Sequence, residues 1–265
     1  MPQRLKNSVL DGNCWIGRPD LHPTRHSKLL TPEMSFQAQV RPPKLIRFYR
    51  WIWRFWKERR FLAFVENLQP RSDELLLDLG GYPFNWFQRG KVIREVHVLN
   101  LDLVPLDETP YGAPVIRAIS GDARSLPFPD GCYDIVFSNS VVEHVGSFED
   151  QKSFAKEARR VGKKIWIQTP ARECPIEPHY LGLFIHWFPG HWHVPMARWL
   201  SLRGLTGSAS RSDLEAIARS TRLLTREEMS QLFPDCQIWT ERLLGIIPKS
   251  HVAIRRTSEG ITSNE

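Results

Sequence analysis

Five short apolar runs, each separated from the next by a polar stretch, most constrain the fold of this chain. They occupy residues 74–79, 95–101, 114–119, 133–138 and 163–169. Each has the length of a strand, and "FEDQKSFAKEARRV", between the last two runs, has the periodicity of an amphipathic helix. Apolar strands joined by crossovers are typical of a mostly parallel sheet that is covered on both faces. The sequence therefore predicts an α/β fold.

The chain after residue 170 departs from this alternation. Residues 171–222 are rich in Pro and Trp, and we expect a lid or an inserted helical piece there. "LLTREEMSQLF" (223–233) predicts a helix with Thr225 as N-cap and Glu228 completing a capping box. The strands "CQIWTER" and "SHVAIR" are too close together for a parallel crossover and predict an antiparallel hairpin.

These patterns together predict one main domain, residues 71–256. We expect a Rossmann-like, seven-stranded, mostly parallel sheet with helices on both faces, a C-terminal antiparallel hairpin and the lid. An N-terminal helix precedes it, and residues 257–265 form a polar tail.

The N-terminal segment carries the positive charge of the chain. Residues 1–69 hold thirteen Lys or Arg against five Asp or Glu, and the remainder holds 23 against 24, so the net charge of +7 belongs to this segment. A nucleic-acid binder would spread its basic residues over the folded body, so nucleic acid is not an expected partner. Residues 1–43 lack periodicity and predict a loosely ordered arm or cap.

Residues 44–70 contain a basic, aromatic helix, "KLIRFYRWIWRFWKERRFLAFVENL" (44–68). Its predicted apolar stripe is Leu45, Phe48, Ile52 and Phe55, and its basic residues are Arg47, Arg50, Arg54 and Lys57. Either the helix contacts an anionic membrane surface or an acidic substrate, or it packs its aromatic face on the body. No apolar run approaches the ~20 residues that cross a bilayer, and no secretory signal is seen. A cytoplasmic protein, in peripheral contact with a membrane if the helix binds lipid, is expected.

Polar residues follow each predicted strand, where open α/β sheets bind their ligands. Glycines after the first strand allow the backbone to approach a ligand closely, and an acid about 20 residues further on suits the hydroxyls of a ribose. The residues at these strand ends are Asp78, Gly80 and Gly81; Asn100 and Asp102; Asp122 and Ala123; and Ser138, Asn139, Glu143 and His144.

The stretch "GDARSLPFPDGCYDIVFSNSVVEHV" (121–145) resembles the central block of class I S-adenosylmethionine-dependent methyltransferases of the type 11 group, and the likeness extends over about 72–170. The resemblance implies S-adenosylmethionine as cofactor. It places Asp78, Gly80 and Gly81 under the methionine part and Asp102, or Asn100, on the ribose hydroxyls. It also places Asp122 and Ala123 at the adenine, and Ser138 and Asn139 near the sulfonium.

The first motif departs from the family pattern. Tyr82 and Phe84 stand where further glycines are usual, which makes a non-catalytic or degenerate cofactor-binding module the alternative interpretation. A nicotinamide dehydrogenase is disfavoured, because no Gly-x-Gly-x-x-Gly follows the first strand. A base-methylating nucleic-acid enzyme is also disfavoured, because "SNSVVEH" lacks the Asn/Asp-Pro-Pro-aromatic motif.

The substrate side is less defined by the sequence. His144 is the predicted catalytic base, since imidazole titrates near neutral pH, but it can equally be a packing residue of its loop. Glu143, Glu177 and His179 are predicted to face the acceptor, which we expect to be a small molecule, a glycan or a lipid precursor. "EPHYLGLFIHWFPGHWH" (177–193) is either a substrate-facing lid or an aromatic cap. It lacks zinc-motif spacings, so no metal is predicted.

Overall fold

The computed structural model describes residues 44–90, 92–106, 109–177, 179–205 and 210–257, and within these ranges it leaves the side chains of residues 44–53 and 203 undescribed. The predicted arm at 1–43 and nearly all of the tail therefore lie outside the described residues. The chain divides between Glu66 and Asn67 into two compact units. The sheet and every residue of the candidate site belong to the second unit, 67–265.

A mixed seven-stranded sheet is the framework of this unit. The strands in chain order are β1 (Leu75–Leu79), β2 (Glu95–Asn100), β3 (Val115–Ser120), β4 (Tyr133–Asn139), β5 (Gly162–Pro170), β6 (Ile176–Glu177), β7 (Gly182–Leu183), β8 (Gln237–Leu243) and β9 (Ile247–Arg255). The spatial order of the large sheet is β3-β2-β1-β4-β5-β9-β8. The first five strands are parallel, and β9 runs antiparallel to both β5 and β8. The predicted Rossmann-like sheet with its C-terminal hairpin is confirmed.

The central strands are buried because they are apolar on both faces. Leu76, Leu77 and Leu79 of β1 are fully buried, as are Ile165, Trp166 and Ile167 of β5. Strand pairs that bury both faces need a helix or loop over each side.

Helices and short 3-10 turns make the connections. The helices are α1 (Lys44–Leu68), α2 (Phe148–Val161), α3 (Gly190–Leu200), α4 (Leu202–Leu205), α5 (Arg211–Ser220) and α6 (Arg226–Leu232), and the 3-10 turns are Pro83–Asn85, Val142–His144 and Ile185–Trp187. Helix α2 is the predicted amphipathic helix and packs on β4 and β5. Between β1 and β4, the described part of the chain makes its crossovers with loops and the Pro83–Asn85 turn.

The predicted lid at 171–222 is a small helical subdomain. It comprises the β6–β7 hairpin and helices α3, α4 and α5, and it has its own apolar cluster of Tyr180, Ile185, Ala197, Leu214 and Ile217. Its ends are attached to the sheet domain, since the backbone N–H of Arg222 donates to Glu143 O (2.7 Å) and Ala171 pairs with Leu224.

The predicted N-terminal helix has the bounds expected from the sequence, but one residue of its apolar stripe is misplaced. Phe55 is 53% exposed, and the buried side chains of the C-terminal half are Arg60, Phe64 and Leu68. These three recur every four residues and mark a different face. The other stripe residues, Leu45, Phe48 and Ile52, lie outside the described side chains. No described helix is both long and apolar enough to span a membrane.

Candidate active site

The strand order of the sheet reverses between β1 and β4, and the candidate site lies at the carboxyl ends of these two strands. β2 and β3 lie to one side of β1, and β5 lies beyond β4. Loops that leave β1 and β4 therefore diverge and leave a crevice, which is the usual ligand site of open α/β sheets. The predicted site residues 78–81 and 138–144 end or follow these two strands.

Hydrogen bonds to residues of two neighbouring strands, β2 and β4, fix the glycine loop after β1. The backbone N–H of Gly80 donates to Leu99 O of β2 (2.7 Å), and Asn100 Nδ2 donates to Gly81 O (2.8 Å). From β4, Ser138 Oγ donates to Leu79 O (2.9 Å). The loop is thus held rigid without the further glycines of the family pattern.

Both glycines are required by their surroundings. Gly80 has a φ of +76°, and a Cβ there would lie 2.6 Å from Val141 Cγ1. A Cβ at Gly81 would overlap the carboxylate of Asp78. Because neither position has room for a side chain, the backbone is the only surface the loop can present to a ligand.

Asp78 is a buried carboxyl at the end of β1. Trp86 Nε1 donates to its Oδ2 (2.7 Å), whereas Oδ1 is buried and has no hydrogen-bond partner among the described residues. Burial raises the pKa of Asp78 from 3.8 to about 7, and the bond from Trp86 opposes this increase. The unpartnered oxygen beside Gly81 is what a cationic or N–H-bearing ligand group would satisfy.

The ends of β2 and β3 carry the residues expected at the ribose and adenine. Asn100 is engaged with Gly81 O, whereas Asp102 is exposed two residues beyond the strand. Asp122 forms an ion pair with Arg124 (2.7 Å), which holds the pKa of Asp122 below its usual range. Ala123 follows in the same turn and is half-buried. Asp102 is therefore better exposed than Asn100 for binding a ribose.

The end of β4 gives Ser138 and Asn139 different settings. Ser138 is fully buried with its hydroxyl on Leu79 O, so it supports the glycine loop from beneath. Asn139 is half-buried at the strand end. The predicted contacts of both residues with the cofactor remain predictions. Ser140 follows with a φ of +60°, a strained left-handed conformation for a non-glycine residue, and brings Val141 over Gly80.

A cavity of ≈ 220 Å³ lies under the lid, beside the loop after β4. Its lining includes Glu177, Tyr180 and His186 of the lid, and Thr221 and Arg222 where the lid returns to the sheet domain. The N–H of Arg222, which lines the cavity, donates to Glu143 O. The cavity therefore adjoins the loop after β4, the strand whose end is predicted to lie near the sulfonium of the cofactor.

Two buried polar atoms in the cavity lining have no hydrogen-bond partner among the described residues, Tyr180 Oη and His186 Nδ1. His186 Nε2 lies 2.8 Å from Arg172 O, so Nε2 carries the proton and Nδ1 is an acceptor. Burial lowers the pKa of His186, which favours this neutral form, and burial raises the pKa of Tyr180. Two residues of the cavity lining thus carry one unsatisfied donor and one unsatisfied acceptor.

Four predicted residues come together at the edge of this cavity: Glu143, Glu177 and His179, which were predicted to face the substrate, and His144, the predicted base. His179 Nδ1 lies 2.6 Å from Glu177 Oε1, and the rings of His144 and His179 are 4.7 Å apart. Glu143 is fully buried, whereas His144 is exposed. The structure thus brings these four residues together, and their roles towards the substrate remain predictions.

Several residues of the site have no recognisable sequence signal. Trp86 follows Asp78 by eight residues in an irregular loop, and Val141 covers Gly80 from the loop after β4. Tyr180 and His186 are positioned by the fold of the lid, and the sequence around them has no periodic pattern that would predict this fold. His186 stood in the histidine-rich stretch of the sequence, but Tyr180 had no distinguishing feature there.

Comparisons with known proteins agree with this geometry. Residues 80–164 match the family model described as a methyltransferase domain. No curated protein sequence matches the chain. Among solved structures, an S-adenosylmethionine-dependent methyltransferase of Methanosarcina mazei is 15% identical and covers 72% of this chain and 95% of its own, with a TM-score of 0.42.

Two further structures are similar at a comparable level of sequence identity and TM-score. An Aquifex aeolicus S-adenosylmethionine-dependent methyltransferase is 13% identical and covers 75% of this chain and 88% of its own, with a TM-score of 0.41. The magnesium protoporphyrin IX methyltransferase of Synechocystis, solved with bound S-adenosylhomocysteine, is 11% identical, with coverages of 82% and 90% and a TM-score of 0.46.

The matched segment begins at Gly80 and ends in β5, so it contains the glycine loop, the ends of β2 and β3 and the whole of β4. Residues 80–164 are therefore a methyltransferase domain of the class I, type 11 group, and the chain is an S-adenosylmethionine-dependent enzyme.

Proposed function

We propose that the enzyme methylates the polar head of an amphipathic acceptor, of the lipid or lipid-linked precursor class. The observation that carries the proposal is a small cavity of mixed polar and apolar lining beside the loop after β4, in a lid that has many exposed aromatic side chains. The polar side chains of the lining suit the reacting group, and the exposed aromatic side chains suit an apolar chain that stays outside.

The residues at the strand ends fit S-adenosylmethionine. The unpartnered Oδ1 of Asp78 suits the α-ammonium group, and the side-chain-free backbone of Gly80 and Gly81 permits close approach of the methionine part. We assign the ribose hydroxyls to Asp102 and the adenine side to Asp122 and Ala123. When bound, the cofactor supplies a methyl group made electrophilic by its sulfonium; the protein aligns the acceptor and excludes water.

Two lining residues of the acceptor cavity carry unsatisfied polar atoms. Tyr180 and His186 line the cavity, and their buried Oη and Nδ1 atoms lack partners in the described chain. A ligand group that reaches these atoms would accept a hydrogen bond from Tyr180 Oη and donate one to His186 Nδ1. Buried polar atoms of this kind discriminate strongly between ligands that do and do not pair with them. A hydroxyl-bearing head group satisfies both.

The rim of the lid is unusually apolar for an exposed surface. Trp187, Trp192 and Trp199 are 51%, 51% and 72% exposed, and Phe184 and Phe188 are 42% and 41% exposed. Trp187 and Trp192 directly follow or precede the cavity-lining residues His186 and His193 in the chain. Large apolar side chains exposed in such number are typical of surfaces that contact lipids or other apolar partners.

Methyl-labelled S-adenosylmethionine, incubated with the enzyme and either the organic-soluble or the aqueous small-molecule fraction of a cell extract, tests the proposal. We expect label to enter the organic-soluble fraction. Tyr180→Phe should reduce kcat/KM by about tenfold, the cost of about 1.4 kcal/mol for an unpaired acceptor group. Tyr111→Phe, at an exposed tyrosine away from the cavity lining, is the matched control and should be without effect.

Label found only in the aqueous fraction would replace the lipid-class acceptor with a hydrophilic small molecule and overturn this proposal. Equal loss of activity in Tyr180→Phe and Tyr111→Phe would mean that the acceptor does not bind in this cavity. Incorporation of label into a nucleic-acid fraction would contradict the exclusion of that class.

A further inference from the structure

Glu143, His144 and His179 form a compact cluster at the edge of the acceptor cavity. Each offers one ligand atom, a carboxylate oxygen or a ring nitrogen, and these atoms lie within 4.8 Å of one another. Glu143 and His144 belong to the 3-10 turn after β4, whereas His179 comes from the lid, between β6 and β7. We propose that these three residues bind a divalent transition-metal ion of the zinc type, with an open coordination position at the acceptor cavity.

The hydrogen-bond partners of the two histidines fix their tautomers. His179 Nδ1 lies 2.6 Å from Glu177 Oε1, and His144 Nδ1 lies 3.1 Å from Ser220 O. Since an ionised carboxylate and a carbonyl oxygen only accept hydrogen bonds, both Nδ1 atoms carry the proton and both Nε2 atoms carry the lone pair. Metal-binding histidines are oriented by carboxylates and carbonyls in this way.

Glu143 supplies an independent indication of a cation. Its side chain is fully buried, and Oε2 accepts a hydrogen bond from Thr169 Oγ1 (2.9 Å). Its Oε1 is buried and has no hydrogen-bond partner among the described residues. An uncompensated buried carboxylate oxygen is costly, and a coordinated metal ion offsets that cost.

The ligand set selects the type of ion. Two imidazoles and one glutamate are a known set of catalytic zinc sites, which keep a position open for water or substrate, whereas magnesium and calcium prefer oxygen ligands throughout. Bonds of about 2.1 Å place the ligands of a tetrahedral zinc ion roughly 3.4 Å apart. The largest separation in the cluster, at most 4.8 Å, must therefore contract. The ring of His144 is exposed and the ring of His179 is half-buried, so neither is enclosed by the core.

The sequence did not predict this site, because its ligands do not have the spacing of a zinc motif. Two ligands are adjacent at 143 and 144, and the third follows only after α2, β5 and β6. The lid brings them together in the folded chain. Two residues connect the cluster with the cavity. Glu177 and Thr221 both line the cavity, and Thr221 Oγ1 lies 3.5 Å from His144 Nδ1 while Glu177 Oε1 lies 2.6 Å from His179 Nδ1.

The role of the ion rests on the proposed function. Zinc lowers the pKa of a bound water to about 7, and an acceptor hydroxyl at the open position would likewise release its proton to solvent water. The resulting oxygen forms the bond to the methyl carbon, and the electron pair of the broken carbon–sulfur bond stays on the sulfur. His144 would then be a metal ligand and not the catalytic base.

Calorimetric titration of chelator-treated full-length enzyme with zinc chloride at neutral pH tests the site directly. We expect one high-affinity equivalent, with affinity at least a hundredfold lower in His144→Ala and in His179→Ala. His191→Ala, at an exposed histidine of α3, should bind like the wild type. Glu177→Gln keeps all three ligands and should weaken binding by about tenfold to a hundredfold. Thermal unfolding checks that each variant is folded.

Cobalt(II) provides a second readout, because its visible absorption reports four- or five-coordinate binding to nitrogen and oxygen ligands. This absorption should be lost in His179→Ala and kept in His191→Ala. Absence of zinc binding in the wild type, or wild-type affinity in both ligand variants, would overturn the proposed site. Titration with S-adenosylmethionine separates the two proposals. If the enzyme binds S-adenosylmethionine but does not bind zinc, only the metal site is wrong. If it binds zinc but does not bind S-adenosylmethionine, only the proposed methyl transfer is wrong.

Discussion

Gly81 and Asp78 are the residues on which the cofactor loop most depends. In Gly81→Ala the new methyl group would overlap the Asp78 carboxylate, which must then leave Trp86 Nε1. We expect at least a hundredfold loss of affinity for S-adenosylmethionine in calorimetric titration. Tyr82→Gly should bind within about threefold of the wild type, since the Tyr82 ring stacks outward on the exposed Phe84.

Gly190→Ala is the matched control for this substitution, because nothing lies within 4 Å of a Cβ at that position. It should bind the cofactor like the wild type. A Gly81→Ala enzyme that retains full affinity, or a Tyr82→Gly enzyme that loses it, would mean that the cofactor contacts the loop elsewhere.

The titration of Asp78 predicts a pH dependence of stability. Burial raises its pKa in the folded protein from 3.8 to about 7. Because the folded pKa lies above the unfolded one, the stabilising contribution is complete below about pH 3.8 and is lost as the pH rises towards about 7. The free energy of unfolding of the cofactor-free wild type should therefore fall relative to Asp78→Asn across this window, as measured by urea denaturation. Parallel pH profiles for the two proteins would contradict the raised pKa.

At the scale of residues, the sequence predicted the positions of the candidate site residues better than the contacts that these residues make. Asp78, Gly80 and Gly81 were predictable because a strand end followed by glycines is a local pattern. The support of the loop by Ser138 was not, since it depends on the pairing of β1 with β4, 59 residues apart. The bond from the Asn100 amide to Gly81 O was likewise not predictable, because it depends on the pairing of β1 with β2.

At the scale of elements, helix α6 provides a measurable case. Thr225 Oγ1 accepts from the backbone N–H of Glu228 (3.1 Å), and Glu228 Oε2 accepts from the N–H of Thr225 (2.9 Å). Thr225→Ala should lower the free energy of unfolding by about 1 kcal/mol, because it leaves a helix N–H without its cap. Chemical denaturation measures the change.

Thr225→Ser retains the hydroxyl and is the control, with an expected change of only a few tenths of a kcal/mol. The same loss in both variants would assign the effect to the methyl group of Thr225 rather than to the cap.

Elements with a local pattern were predicted almost to the residue. The bounds of α2 agree with the expected 148–161, and the five parallel strands begin and end within one residue of the predicted runs. Residues 171–222 gave no such agreement, because short helices around a small apolar cluster need no long periodic stretch.

At the scale of the whole molecule, the concentration of positive charge in the N-terminal segment predicts a salt-sensitive interaction with anionic membranes. We expect the full-length chain to co-sediment with vesicles containing anionic phospholipid at low salt and to be released at high salt. Arg54→Gln combined with Lys57→Gln, both exposed on α1, should weaken this binding.

The matched control removes the same charge elsewhere. Arg211 and Arg219 are exposed on α5, where each pairs with Glu215, and their double replacement by Gln should leave vesicle binding unchanged. If the chain fails to sediment with anionic vesicles at low salt, the predicted membrane contact of 44–68 is wrong.

The crowding between Asp78 and Gly81 also has an evolutionary consequence. A side chain at position 81 and a carboxylate at position 78 cannot occupy the same space, so neither position can drift alone. Descendants of this sequence that acquire a larger residue at 81 must first shorten or lose the acid at 78. The two positions should therefore covary, and this pair is a marker by which close relatives sharing this loop can be recognised from sequence.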